Sequence, residues 1–226
     1  MITLLVDLDG TITDPAPGII GAFRFALERM GVTPPPAEDL LWIIGPPTRL
    51  SFPKLLRPDQ DVEEAVRLYR ERYGADGLFE ARVYDGMPQA LQALRALPAR
   101  LLVCTAKPQV FAVPILEHFG LTSVFTGVYG PDLEGRLDDK GLLIGRMIEE
   151  ENIDPARTIM VGDRANDVRA AARHGIPTVG ALWGYGGCEE LTDAGAAVLC
   201  EAPGHLPASV TELVRAGRAR AIPRAG

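Results

Sequence analysis

The sequence predicts an α/β protein built on a doubly wound parallel sheet, with a helical insertion after the first strand. Three observations carry this. Short apolar runs bounded by Gly, Pro or Asp recur along the chain, stretches with apolar residues at helical spacing separate them, and the interval 15–84 has no comparable run. Runs that are apolar on both faces suit buried parallel strands, and their alternation with helices is the pattern of strand-helix-strand units.

Taken in order, strands are read at ITLLV (2–6), RLLVCT (100–105), TIMVGD (158–163), PTVGAL (177–182) and AAVLC (196–200). Helices are expected over 88–97 (Leu91, Leu94, Leu97), 109–119 (Phe111, Ile115, Leu116, Phe119), 140–150 and 166–174. Between 15 and 84, helical patterns centre on Ile19, Ile20, Phe23, Leu27 and Met30, then on Val62, Val66 and Tyr69. TPPPAED (33–39) and IIGPPT (43–48) punctuate them. A structureless connection of that length is uncommon in a compact domain. The expectation is therefore a discontinuous core, 1–14 and 85–226, with an inserted helical unit over 15–84; two crossover helices with long loops are the alternative.

The chain has 226 residues, 47% of them hydrophobic, and can bury a sizeable core. Its net charge of -7 argues against a nucleic-acid polymer or an anionic membrane as partner. The one basic cluster, RAGRARAIPRAG (215–226), is expected to be a frayed terminus. The first apolar run meets Asp7 too soon for a signal peptide or a membrane span, so a cytoplasmic location is expected. Cys104, Cys188 and Cys200 are odd in number and widely spaced, and are read as reduced thiols. Monomer and homodimer both stay open.

In open α/β sheets ligands bind beyond the carboxyl ends of the strands, so the polar residues there come forward. They are Asp7, Asp9, Gly10 and Thr11 after the first strand, Thr105 after the second, Lys140 at a helix start, and Asp163 and Asp167 in VGDRANDV. Two carboxylates as close as Asp7 and Asp9 repel, and burying either costs several kcal/mol (roughly 2–7) unless something compensates.

DLDGT (7–11), VCTAKP (103–108), DDKGLLIG (138–145) and VGDRANDVRAA (161–171), in that order, resemble the motifs of the haloacid-dehalogenase-type phosphohydrolases with a helical cap after the first motif. IGPP, ILEHFGL and GYG resemble the branch that is phosphoglycolate phosphatase-like and 5'-nucleotidase-like. The resemblance implies a Rossmann-like core, an α-helical cap, Mg²⁺ and hydrolysis of a small phosphate ester through an aspartyl-phosphate. Phosphoglycolate is the leading substrate and a nucleoside 5'-monophosphate the alternative. A sugar phosphomutase is a further rival, and a non-catalytic phosphate-binding module would be expected to lack one of Asp7, Asp9, Lys140 or Asp163.

The residues support this. Magnesium takes oxygen ligands and is commonly held by one or two carboxylates, which Asp7 and Asp163 supply; the backbone carbonyl of Asp9 is a further ligand by resemblance. Asp7 is expected to be the nucleophile and Asp9 the acid and base. Lys140 opposes its own helix dipole, so an anionic partner is expected: the phosphate and Asp7. Asp167 lies four residues past Asp163 and is expected one helical turn along the same face, holding a metal-bound water or orienting Asp163. Thr105 opens a helix whose Pro108 suits the first position, so its hydroxyl and the free N–H groups of that turn, Ala106 included, can cradle phosphate, as can Gly10 and Thr11; Lys107, also at that helix start, is a second phosphate ligand by the same dipole argument as Lys140.

Arg49, in IIGPPTR, is expected to meet a second anionic group on the substrate; Arg72 and Tyr73 are lesser candidates. Arg164 is read equally as a substrate contact or a salt bridge. The Gly-rich WGYGG (183–187) is weak evidence alone, and His118, His174 and His205 are read as structural.

Overall fold

The computed structural model describes residues 1–221, with side chains to residue 216. Chain order is β1 (Ile2–Val6), β2 (Thr13–Asp14), α1 (Ala16–Arg29), α2 (Thr48–Ser51), α3 (Val62–Ala75), β3 (Arg82–Val83) and α4 (Met87–Arg95). There follow β4 (Ala99–Cys104), α5 (Gln109–His118), β5 (Gly127–Tyr129), α6 (Lys140–Glu150), β6 (Thr158–Gly162), α7 (Ala165–Ala172), β7 (Thr178–Ala181), α8 (Gly187–Ala194), β8 (Val198–Cys200) and α9 (Leu206–Ala221).

Six strands form one parallel sheet in the order β5-β4-β1-β6-β7-β8. Alternate side chains of a strand face opposite sides, and here both sides are dry. Leu4 and Val6 of β1, Leu101 and Val103 of β4, and Ile159 and Val161 of β6 join the larger core cluster. Leu5, Leu102, Cys104 and Met160 face the other way, onto Leu143, Ile144 and Met147 of α6. Successive strands run outward from β1 in both directions, so the topological switch point, where a ligand crevice opens, lies beside β1.

β2 and β3 pair antiparallel, Thr13 opposite Val83 and Asp14 opposite Arg82, and this two-stranded ribbon carries the chain into and out of the helical segment between them. The apolar side chains of that segment join the same larger cluster as Leu4 and Val6 of the sheet. α1 buries Ile19, Phe23, Ala26 and Leu27, a helical stripe that meets α3. Phe23 stacks on Phe52 with centroids 4.4 Å apart and meets Tyr69 edge-on at 5.0 Å.

Three differences from the sequence reading have physical reasons. β5 escaped it because a three-residue, half-buried edge strand starting with Gly127 shows no apolar run. Pro108 is the N-cap of α5 with extended backbone, so the helix starts at Gln109 and Lys107 stands ahead of it. In the basic segment expected to fray, residues 215–221 complete α9, and 222–226 lie outside the described residues. Among the described residues no helix is long and apolar enough to cross a membrane.

Candidate active site

Asp7 leaves the carboxyl end of β1, Asp163 follows β6, and Asp167 sits in the first turn of α7. Each offers a carboxylate oxygen, and these lie within 4.8 Å of one another. Lys140 Nζ stands 3.0 Å from Asp7 Oδ2 and hydrogen-bonds Asp167 Oδ1. All four residues are buried. Burial works against the Lys140 charge, but Asp167 and Asp7 outweigh it and hold the ammonium above its ordinary range. Burial, then the charges of Asp167 and Asp7, push Asp163 well above the usual carboxylate range; Asp167 is raised to about 6, chiefly by burial. Three buried carboxylates against one ammonium leave excess negative charge, which a hard divalent cation would neutralise; the donor set fits Mg²⁺.

Local structure explains how the side chains are aimed. Asp139 is the N-cap of α6, accepting from Leu142 N at 3.0 Å, so Lys140 is the first helical residue and points inward, 2% exposed. Asp163 does not share a helix face with Asp167, because α7 begins at Ala165 and Asp163 stays in the loop before it. Asp167 reaches back as the N3 residue of a capping box, accepting from Arg164 N at 3.0 Å with Oδ2 while Oδ1 takes Lys140. With both oxygens engaged, it serves Lys140 more directly than a metal.

Asp163 is gripped by Thr11, whose hydroxyl donates to Oδ1 at 2.9 Å, and by Tyr185 N, which donates to Oδ2 at 2.9 Å. Gly10 adopts φ +81°, and a Cβ there would stand 2.2 Å from Asp163 Oδ2. Its N–H donates to Thr13 O at 2.8 Å. Expected as phosphate contacts, Thr11 and Gly10 instead spend these groups on the acidic cluster and on the loop itself.

Asp9 forms a second pole, its carboxylate outside the trio. Its Oδ2 lies 2.8 Å from Lys107 Nζ, which also donates to the Tyr73 hydroxyl at 2.6 Å and sits 4.4 Å from the Tyr73 ring centroid. Burial raises the Asp9 carboxyl above its ordinary value against the pull of Lys107. Thr105 Oγ1 accepts from Lys107 N at 3.2 Å and keeps its own proton to donate.

A cleft of about 50 Å³ lies between this pole and the helical segment; Asp9, Ala106, Lys107, Phe23, Tyr69 and Arg70 are among its walls. Arg49 also lines it but is already paired. It meets Glu63 at 2.7 Å and Asp138 at 3.7 Å and donates to Leu133 O at 3.0 Å, so its charge is spent within the protein. Arg70 donates to Leu133 O at 2.7 Å and has no ion pair among the described residues. Arg164 resolves as a salt bridge, 2.9 Å to Glu190, and also donates to the Ile44 carbonyl of the helical segment. Arg72 pairs with Glu80.

Residues 183–187, weak evidence in sequence, line the back of the acidic cluster. Trp183 Nε1 donates to Thr11 O at 2.9 Å and the Tyr185 hydroxyl donates to Asp14. The aromatics of a Gly-rich loop were the available signal; Glu190, which accepts from Arg164 and from Ala165 N, carried none. His174 bonds the Gly141 carbonyl and His118 stacks on Phe79, both structural, and Cys104, Cys188 and Cys200 are free thiols.

Residues 4–181 match the haloacid dehalogenase-like hydrolase family. A 5'-nucleotidase of Pseudomonas aeruginosa is 40% identical over 189 residues, covering 83% of this chain and 86% of its own. The tyrosine-protein kinase PtkA of Mycobacterium tuberculosis is 35% identical over 199 residues, 88% of this chain and 68% of its own. A phosphoglycolate phosphatase of Agrobacterium fabrum is 31% identical over 188 residues, 80% of each chain. The crystal structure of a predicted phosphatase from Clostridium acetobutylicum superposes with a TM-score of 0.89 at 36% identity, covering 93% of this chain and 98% of that one.

Proposed function

The chain belongs to the haloacid dehalogenase-like hydrolases and is a phosphoric monoester hydrolase, and from that premise we propose that it is a Mg²⁺-dependent phosphatase acting through an aspartyl-phosphate on Asp7. The observation that carries this is the buried cluster of Asp7, Asp163 and Asp167 with Lys140 on Asp7. Asp7 and Asp163 would hold the metal, with the Asp9 carbonyl, and the ion would neutralise charge on the transferring phosphoryl group.

The chain's own residues do the rest. A carboxylate oxygen of Asp7 attacks phosphorus, and the bond to the leaving oxygen breaks. Asp9 gives its proton to that oxygen, and burial, which raises its carboxyl above the ordinary value, acts in the direction this role needs. It then takes a proton from the water that attacks the aspartyl-phosphate and releases inorganic phosphate. Lys140 balances charge at Asp7, and Asp167 holds Lys140 in place. Thr105 donates its hydroxyl proton to a phosphoryl oxygen.

Residues 15–84 act as a cap over this site, hinged at the β2–β3 ribbon. The small cleft favours a leaving group of few atoms, with phosphoglycolate first and its carboxylate reading Arg70. A nucleoside 5'-monophosphate is the second reading, favoured by the Pseudomonas aeruginosa relative and by the aromatic walls Phe23 and Tyr69; it requires the cap to lift. Buried free thiols at Cys104 and Cys200 suit work in the reducing cytoplasm.

The test is a panel of phosphate esters assayed with Mg²⁺ and with EDTA. Phosphoglycolate hydrolysis that vanishes in EDTA and returns with Mg²⁺ supports the reading. Full activity in EDTA sinks it.

A further inference from the structure

Resting on the reading of Asp9 as acid and base, we propose that Tyr73 is a positioning residue: its hydroxyl seats Lys107 against Asp9, so the leaving-group end of the site is complete only while the helical segment sits on the sheet. The three residues come from three elements. Asp9 follows β1, Lys107 follows β4, and Tyr73 lies on α3.

Lys107 Nζ is 2.8 Å from Asp9 Oδ2 and 2.6 Å from the Tyr73 oxygen. An ammonium has three protons to give, and these contacts take two of them. The third is left for a substrate in the cleft that Lys107 lines. Pinning Oδ2 leaves Asp9 Oδ1, which is buried with no hydrogen-bond partner among the described residues, as the oxygen free to meet the leaving group.

Tyr73 is itself held firmly, 1% exposed. Its ring stacks on Tyr69 at 5.4 Å, Tyr69 meets Phe23 at 5.0 Å, and Phe23 stacks on Phe52 at 4.4 Å. This aromatic column belongs to the helical segment and carries the phenol on α3, while the far edge of the Tyr73 ring meets Phe111 of α5 at 5.5 Å, the contact that seats it on the sheet side. A lysine side chain is long and flexible, and ordering it costs rotamer entropy. When α3 lifts away, Lys107 loses both the hydroxyl and the ring face 4.4 Å beneath it, and only Asp9 still restrains the ammonium.

Tyr73→Phe keeps the ring and removes the oxygen, which separates positioning from packing. With Mg²⁺ present, the single-turnover rate of phosphoryl transfer from phosphoglycolate to the protein is expected to fall on the order of 10- to 100-fold, as misplacement of catalytic groups does. On acetyl phosphate, whose leaving group needs little protonation, the loss is expected to stay under about twofold. In a Lys107→Met background the Tyr73→Phe change is expected to have no further effect, since it acts through the lysine. Equal losses on both substrates, or losses that multiply in the double variant, overturn the proposal; if Lys107→Met does not fold, the substrate comparison decides alone. Asp9→Asn assayed alongside locates any failure: if it spares both substrates, the acid and base reading fails and takes the proposal with it, whereas a selective loss on phosphoglycolate for Asp9→Asn without one for Tyr73→Phe overturns the proposal alone.

Discussion

Lys140 Nζ stands 3.0 Å from Asp7 Oδ2, with Asp167 sharing the same ammonium. One buried cation thus joins the end of β1, the start of α6 and the first turn of α7, and the cluster has no other ammonium or guanidinium within ion-pair distance among the described residues. Taking one partner from a buried ionic group leaves the others uncompensated.

Lys140→Gln is therefore expected to lower kcat on every ester by about 10²- to 10³-fold, roughly 2.7–4 kcal/mol, the scale on which a preorganised electrostatic group acts. Lys140→Arg is expected not to rescue it, because a planar guanidinium needs space that a residue 2% exposed does not have. Steady-state kinetics with saturating Mg²⁺ decides, and an active arginine variant counts against the role given to the ammonium.

Asp163→Asn is expected to do two opposite things. Asp163 is pushed well up by burial and by Asp167 and Asp7, so its ionised form costs stability when no metal is present. In EDTA the variant should unfold at a higher temperature than the parent, because a neutral amide carries no such buried charge. Mg²⁺ at 100 times its Kd should stabilise the parent by about 2.7 kcal/mol and the variant hardly at all. Calorimetry with and without Mg²⁺ reads both; a variant still stabilised by the ion would remove Asp163 from the metal site.

These contrasts show what a sequence can carry. Strands such as β1 and β6 declare themselves because each is a dry run ended by an aspartate, and the site lies where those aspartates fall. Lys140 was legible for the same local reason: a cation at a helix start needs an anion. What could not be read was the use of a group once chains far apart meet. Nothing local says that Thr11 faces Asp163, 152 residues on, or that Arg49 is claimed by Glu63 and Asp138. Tyr73 is legible only as a lesser candidate for the substrate's second anionic group, because its partner, Lys107, lies in a different element.

Acid stability should show a sign that follows from Asp139. The N–H of Leu142, with Arg173 also close, holds its carboxyl below the ordinary range. A depressed carboxyl contributes stability that is present above its unfolded value of about 3.9 and is lost as pH falls through the lower folded value. Asp139→Ala should cost about 1 kcal/mol at pH 7, the usual worth of an N-cap, and the gap between variant and parent should close below about pH 4. Urea unfolding at several pH values measures it, and a gap that widens in acid would contradict the assignment.

The two cleft arginines should part company. Arg49, in the helical segment, grips Leu133 O and faces Asp138, so Arg49→Ala should depress phosphoglycolate and p-nitrophenyl phosphate alike, through seating of that segment. Arg70 has no ion pair among the described residues, so Arg70→Gln should lower kcat/KM for phosphoglycolate by about 1.5–3 kcal/mol, the worth of a hydrogen bond to a charged group, and spare p-nitrophenyl phosphate, which has no second anionic group. The reverse selectivity would return the second anion to Arg49.

The last prediction separates Asp7 from Asp9. Asp7→Asn should form no covalent intermediate, because a neutral amide does not readily attack phosphorus. Asp9→Asn keeps the nucleophile and its Lys140 partner but has no proton for the leaving group and no base for water, each worth about 10²- to 10⁴-fold. Acetyl phosphate leaves without much protonation, so it should still phosphorylate the Asp9→Asn protein. The aspartyl-phosphate should then persist, because its hydrolysis lacks a base. Mass spectrometry after brief exposure should find one added phosphoryl group on Asp9→Asn and none on Asp7→Asn, and the opposite pattern would exchange the two roles.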